Sequence, residues 1–222
     1  MDLKEKAIAS LKKHASGDAF SRLPAALPKA SVLIPLLLRH GKLHALLTVR
    51  SVNLKHHAGE VCFPGGKSES GDTDETHTAL REAEEEIGLP SHTVQVICKL
   101  FPVLNKAGLL ITPVVAFIES SFKPRPNADE VSEVFTLPLE FFTKEADHSC
   151  YPVPSVFGPT HSFMYTDPRT GHIHQIWGLT AALAVTVAAL ALGKKPEFEL
   201  GFDLDDPASA FRDVLNRRLS KL

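Results

Sequence analysis

The sequence predicts an α/β fold, a mixed sheet with flanking helices, and three observations carry that expectation. Short apolar runs at 32–38, 43–49, 94–100 and 109–118 have strand length. A helical stripe near residues 80–89 and an alanine-rich apolar run at 179–192 are interspersed with strand candidates. With 222 residues and 44% hydrophobic content, the chain can bury a sizeable core, and one domain over 1–222 with short terminal extensions is expected.

Taken in order, residues 2–14 set Leu3, Ile8 and Leu11 among lysines and glutamates, which predicts a short amphipathic helix over about residues 1–15. The segment lacks the apolar core of a secretory signal, and Asp2 and Glu5 argue against a mitochondrial presequence. The runs 32–38 and 43–49, separated by Arg39-His40-Gly41-Lys42, predict a strand pair. After the helical stripe, which closes on Gly88, come strands at 94–100 and 109–118, the second interrupted by Pro113. A loop at 127–131 leads into a short strand at 134–139. Residues 161–165 and 172–177 flank Asp167-Pro168-Arg169-Thr170-Gly171, which has the turn chemistry of a hairpin. The apolar run 179–192 is shorter than the roughly 18 residues of a membrane span, so a buried core helix is expected and no span. The charged stretch 213–219 is expected to fray.

A net charge of −2 gives no global basic field, which argues against nucleic acid as a partner. The cysteines Cys62, Cys98 and Cys150 lack metal-ligand spacing and read as reduced thiols that pack. His161, His172 and His174 have strand spacing without a paired cysteine motif, so they are read as structural and not as zinc ligands.

The chemistry concentrates in Arg81-Glu82-Ala83-Glu84-Glu85-Glu86-Ile87-Gly88-Leu89. On a helix Glu82, Glu85 and Glu86 stand at i, i+3 and i+4 and share one stripe, while Leu80, Ala83 and Ile87 face the core. Clustered carboxylates are hard oxygen ligands suited to Mg²⁺ or Mn²⁺. A glutamate run alone is usually a solvated face, but Phe63-Pro64-Gly65-Gly66 upstream and the glycine stop downstream favour a site.

This segment resembles the Nudix box, and its second half matches from Arg81 to Leu89 position for position. The first half departs, because the loop is one residue longer and the leading acidic position falls on Asp72 or Thr73; either of these, or Asp74, could instead cap the helix. The resemblance implies a Nudix α/β/α sandwich that hydrolyses a nucleoside diphosphate linked to another moiety. It implies Glu82 and Glu86 as principal metal ligands, Glu85 as ligand or water activator, Arg81 as their orienting cation, and a Gly66 carbonyl completing the shell. Upstream, Leu46-Leu47-Thr48 with Arg50, Lys55, Gly59 and Phe63-Pro64-Gly65-Gly66 resembles the signature of the coenzyme A diphosphatase branch, with lysine where arginine is usual. Gln175 to Thr180 also resembles that branch.

The branch implies coenzyme A and acyl-coenzyme A as substrates, with Arg50, Lys55, His56 and His57 as a basic cluster for the 3′-phosphate. Gly65 and Lys67 join the expected substrate-binding set, and Glu130 is an acidic candidate from a later loop. Hydrolysis of ADP-ribose or NADH, or a noncatalytic nucleotide or acyl-coenzyme A sensor, stays open as an alternative. The chain closes on Ser220-Lys221-Leu222, a tripeptide of the kind read by the peroxisomal import receptor, so a peroxisomal location is expected.

Overall fold

A computed structural model describes residues 1–17, 27–105, 107–152 and 159–219. Helix α1 (Leu3–Lys13) opens the chain, its first turn held by a capping box in which Asp2 and Glu5 bond each other's backbone N–H groups. Strands β1 (Lys29–Arg39) and β2 (Lys42–Arg50) form the expected hairpin, with His40 and Gly41 both at positive φ, as a two-residue turn requires. Short strands β3 (Val61–Cys62) and β4 (Gly65–Lys67) lead to helix α2 (Glu75–Ile87). Strands β5 (Gln95–Lys99), β6 (Val103–Leu104), β7 (Leu110–Phe117) and β8 (Val131–Pro138) complete the main sheet.

That sheet runs β3-β2-β1-β7-β5, with β4 on β1, β6 on β7 and β8 on β2. The pair β1–β7 is parallel and the other pairings are antiparallel, so the sheet is mixed. Pro113 is tolerated within β7 because it falls between the stretch paired to β6 and the stretch paired to β5, where no ladder bond is lost.

Alternate residues of β1, β2 and β7 feed opposite faces. Leu33, Leu37, Leu46, Val114 and Ala116 pack on α2 through Ala79, Ala83 and Ile87. Ile34, Leu36, Leu47, Val115 and Phe117 join a larger cluster with α1 and with helix α3 (Gly178–Leu192). Burial on both faces explains why these strands read as continuous apolar runs. A second sheet of β9 (His148–Pro152), β10 (Pro159–Thr166) and β11 (Ile173–Trp177) precedes α3.

Three expectations need correction. The stretch 213–219 is not a frayed tail but the end of helix α4 (Pro207–Leu219), docked by Leu215 against Phe101, Leu104 and Leu110. Ala208, Phe211, Leu215 and Leu219 stand at helical spacing, a pattern that the charged residues among them obscure. Cys150 is exposed and so does not pack, whereas Cys98 is buried; all three thiols are free. Strand β8 begins at Val131 and is longer than the 134–139 run, since the adjacent polar residues Ser132 and Glu133 break the apolar run near its start. Among the described residues no helix is long and apolar enough to cross a membrane. The terminal Ser220-Lys221-Leu222 lies outside the described residues.

Candidate active site

Helix α2 is fixed at both ends by its own sequence. The Asp74 carboxylate accepts from the His77 N–H at 2.7 Å, and Gly88 takes the left-handed conformation at the C-terminus. Asp74 is thus the cap that Asp72 and Thr73 are not. With Ala79, Ala83 and Ile87 committed to the sheet, Glu82 and Glu86 stand one turn apart on the flank nearest β4 and the start of β8.

Glu86 is 2% exposed, and its Oε2 accepts from the Gly65 N–H at 3.1 Å while Oε1 lies 3.9 Å from Arg50 Nη1. Burial pushes its carboxyl up to about 8, a shift that the Gly65 N–H and Arg50 oppose and that Glu82 and Glu130 reinforce. Burial also raises Glu82, against the pull of Arg81. Candidate ligand oxygens of Glu82, Glu86 and Glu130 all lie within 4.8 Å of one another. Glu130 reaches this place because the loop before β8 is tied to the end of α2, with Asn127 N–H donating to Glu86 O at 2.9 Å and Arg125 N–H to Ile87 O at 2.8 Å. The β2–β8 register shifts at Arg50, and Ser51 N–H donates to Glu130 O at 2.8 Å, which holds that loop against the end of β2.

Arg81 stands behind the cluster. Its Nε and Nη2 donate to the two Asp72 oxygens at 2.9 and 3.1 Å, Nη2 also to Lys67 O at 3.0 Å, and Nη1 to Glu85 Oε2 at 3.0 Å. Nη2 is 3.1 Å from Glu82 Oε1. The bidentate clamp holds Asp72 well below the usual carboxylate range and raises Arg81. Asp72, not Thr73, takes the acidic position in this structure; Thr73 instead donates its N–H to His77 Nδ1. Spacing alone leaves this position open between Asp72 and Thr73, and the carboxylate nine residues before the arginine is the one that the guanidinium clamps.

The remaining candidates are distributed unevenly. Glu85 stays outside the carboxylate cluster, because Arg81 one turn earlier draws it to an exposed position. Gly66 sits directly behind Glu82, so close that a Cβ there would overlap the carboxylate. Arg50, His57, Gly65, Gly66 and Lys67 line a cleft of about 360 Å³ beside the carboxylates. His57, at φ 56, bonds Glu60 Oε2 through Nδ1 at 2.9 Å. Lys55 and His56 are exposed on the same loop and do not line the cleft. Of the histidines considered for zinc, His161 bonds His148 and His174 stacks on Phe135.

Three converging carboxylates with no nitrogen or sulfur donor among them fit a hard divalent cation. Residues 27–152 match the family model of the NUDIX domain. The chain belongs to the Nudix family. This Nudix hydrolase is 45% identical over 207 residues to the peroxisomal coenzyme A diphosphatase NUDT7 of Mus musculus, covering 92% of this chain and 87% of that one. It is 41% identical over 161 residues to the mitochondrial Nudix hydrolase 15 of Arabidopsis thaliana, covering 71% of this chain and 56% of the plant protein. Among solved structures, a C. elegans Ap4A hydrolase binary complex aligns at 21% identity with a TM-score of 0.44, over 50% of this chain and 80% of that one.

Proposed function

We propose that this Nudix hydrolase cleaves the pyrophosphate of coenzyme A and acyl-coenzyme A, releasing 3′,5′-ADP and the (acyl-)4′-phosphopantetheine. The observation that carries the reading is that similarity to a coenzyme A diphosphatase runs over nearly the whole chain, well beyond the 27–152 family segment. In this reading Glu82, Glu86 and Glu130 hold Mg²⁺ or Mn²⁺. A cation bound there would neutralise charge on the phosphate oxygens and make water a stronger nucleophile. Arg81 keeps Glu82 in place and is itself kept in place by Asp72. The Gly65 N–H orients Glu86, and Arg50, 3.9 Å from Glu86 and lining the cleft, offers positive charge to the phosphates. Lys55, His56 and His57, on the loop beyond β2, meet the 3′-phosphate, with Lys67 nearer the pyrophosphate; Glu85 serves by steadying Arg81.

A substrate panel of coenzyme A, acyl-coenzyme A, ADP-ribose and NADH, with and without Mg²⁺ or Mn²⁺, tests this. Metal-dependent turnover preferring the coenzyme A compounds is expected. Dephospho-coenzyme A should be cleaved at least about tenfold less efficiently, the scale of one charge-assisted contact of about 1.5–3 kcal/mol, and Lys55→Ala should erase that difference. Preference for ADP-ribose or NADH would promote the alternative, and metal-dependent binding without turnover would mean a sensor.

We also propose a peroxisomal location, carried by Ser220-Lys221-Leu222 and supported by the location in the mouse relative's name. The docked Leu215 lies upstream of the tripeptide, so removing Leu222 should spare the fold. A tagged protein with a free C-terminus should form puncta with a peroxisomal marker, and the Leu222 deletion should turn diffuse while keeping its activity. Continued import of the deletion would overturn the role given to the tripeptide.

A further inference from the structure

The cleft beside the carboxylates is lined by two kinds of group. Arg50, His57, Glu60, Lys67 and the Gly65-Gly66 backbone are polar. Beyond Val32, which is paired with Gly65, an apolar wall is made by Ile111 of β7 and by Trp177, Leu179 and Leu183 where β11 passes into α3. Leu183 is 2% exposed and belongs to the cluster that holds α3 on the sheet, so this wall is anchored. Trp177, in contrast, is 45% exposed, a large ring left half-uncovered at a cleft, and it stands opposite the small Ser162 across the β10–β11 ladder. An apolar surface of this kind is matched by an apolar ligand group and is costly for a charged one. Residues 177–183 also follow the 27–152 segment, so they lie outside the part of the chain matched as the family domain.

The substrate proposed above has a phosphorylated nucleotide, a pyrophosphate and one uncharged arm. We propose that Trp177, Leu179 and Leu183 form the wall that receives the acyl-pantetheine arm and thereby favour acylated over free coenzyme A. The inference rests on the coenzyme A reading. Charge decides the orientation: the pyrophosphate belongs with Arg50 and the carboxylate-bound cation, which leaves the apolar wall to the arm. Each methylene covered by that wall should strengthen binding about fourfold.

Trp177 is the sole tryptophan of the chain, which makes the test direct. Stopped-flow emission of the Mg²⁺-loaded protein should shift to the blue as octanoyl-coenzyme A binds, before turnover, and should not shift with 3′,5′-ADP. In steady state, kcat/KM for octanoyl-coenzyme A relative to coenzyme A should fall at least fivefold in Trp177→Ala, through KM and not kcat. Trp177→Phe should keep the preference. If the unaltered protein cleaves both compounds but its emission is indifferent to the acyl chain, or Trp177→Ala keeps the ratio, the arm lies elsewhere and the coenzyme A reading stands. If neither compound is cleaved while ADP-ribose is, the coenzyme A reading itself has failed, and the wall's assignment with it.

Discussion

Glu86→Gln should reduce turnover by about 10²-fold or more, because it removes a metal-facing charge while keeping size and helix propensity. The same substitution should make the metal-free protein less sensitive to pH. Burial holds the Glu86 carboxyl at about 8 in the folded chain, against an ordinary value of 4.5. Between those two values the folded state binds more protons at this group than the unfolded state does. Stability from this source is therefore complete below 4.5, declines as pH rises, and is lost above 8. The slope is at most about 1.4 kcal/mol per pH unit. Thermal melts in EDTA from pH 5 to 8.5 should show the decline in the unaltered protein and a flatter profile in Glu86→Gln. Saturating Mn²⁺ should reverse the loss at pH 8 only where Glu86 is present, since the cation replaces the proton. Near-normal activity of Glu86→Gln, or parallel melting profiles, would remove Glu86 from the site.

Gly66→Ala should be almost as damaging to activity, for a different reason. A Cβ at this position would overlap the Glu82 carboxylate, whose side chain can swing aside, so the backbone survives and the ligand moves. Metal affinity and turnover should each fall by about 10²-fold on the scale of losing a metal ligand, with a melting temperature near that of the unaltered protein. Gly65→Ala provides the contrast. Its Cβ would meet the backbone of Ser31 and Val32, which cannot swing aside, and so would disturb the β1–β4 pairing. That change should cost about 1–3 kcal/mol of stability. Mn²⁺ titration followed by calorimetry separates the two; unchanged Mn²⁺ affinity in Gly66→Ala would show that Glu82 is not a ligand.

How much of this was legible in the sequence depends on how local the interaction is. The strand pair β1–β2, the helix carrying the glutamates and its glycine stop follow from spacing within a few residues, and the family pattern extended them to the mixed α/β sandwich. The stripe alone could not decide which glutamates converge. Glu85 shares it with Glu82 and Glu86, but Arg81 competes for it at i, i+4, and that competition depends on Asp72 having fixed the guanidinium first. Glu130 depends on a loop bonded to the end of α2, a long-range contact that no periodicity carries. Helix α4 failed to show for a simpler reason: Ala208, Phe211, Leu215 and Leu219 keep helical spacing, but the charges of 212–218 between them read as a solvated tail, and the cluster that receives Leu215 comes from distant strands.

The two glycines of β4 have a consequence of scale. Val32 points to the α3 side of the sheet, where the cleft lies, while Glu82 rises from α2 on the opposite side. Between them, at Gly65 and Gly66, the layer is only backbone thick. The protein is thus glazed at one point: a single strand without side chains is all that parts the cleft from the helix that carries the carboxylates. How closely the two sides approach is set by what two residues lack.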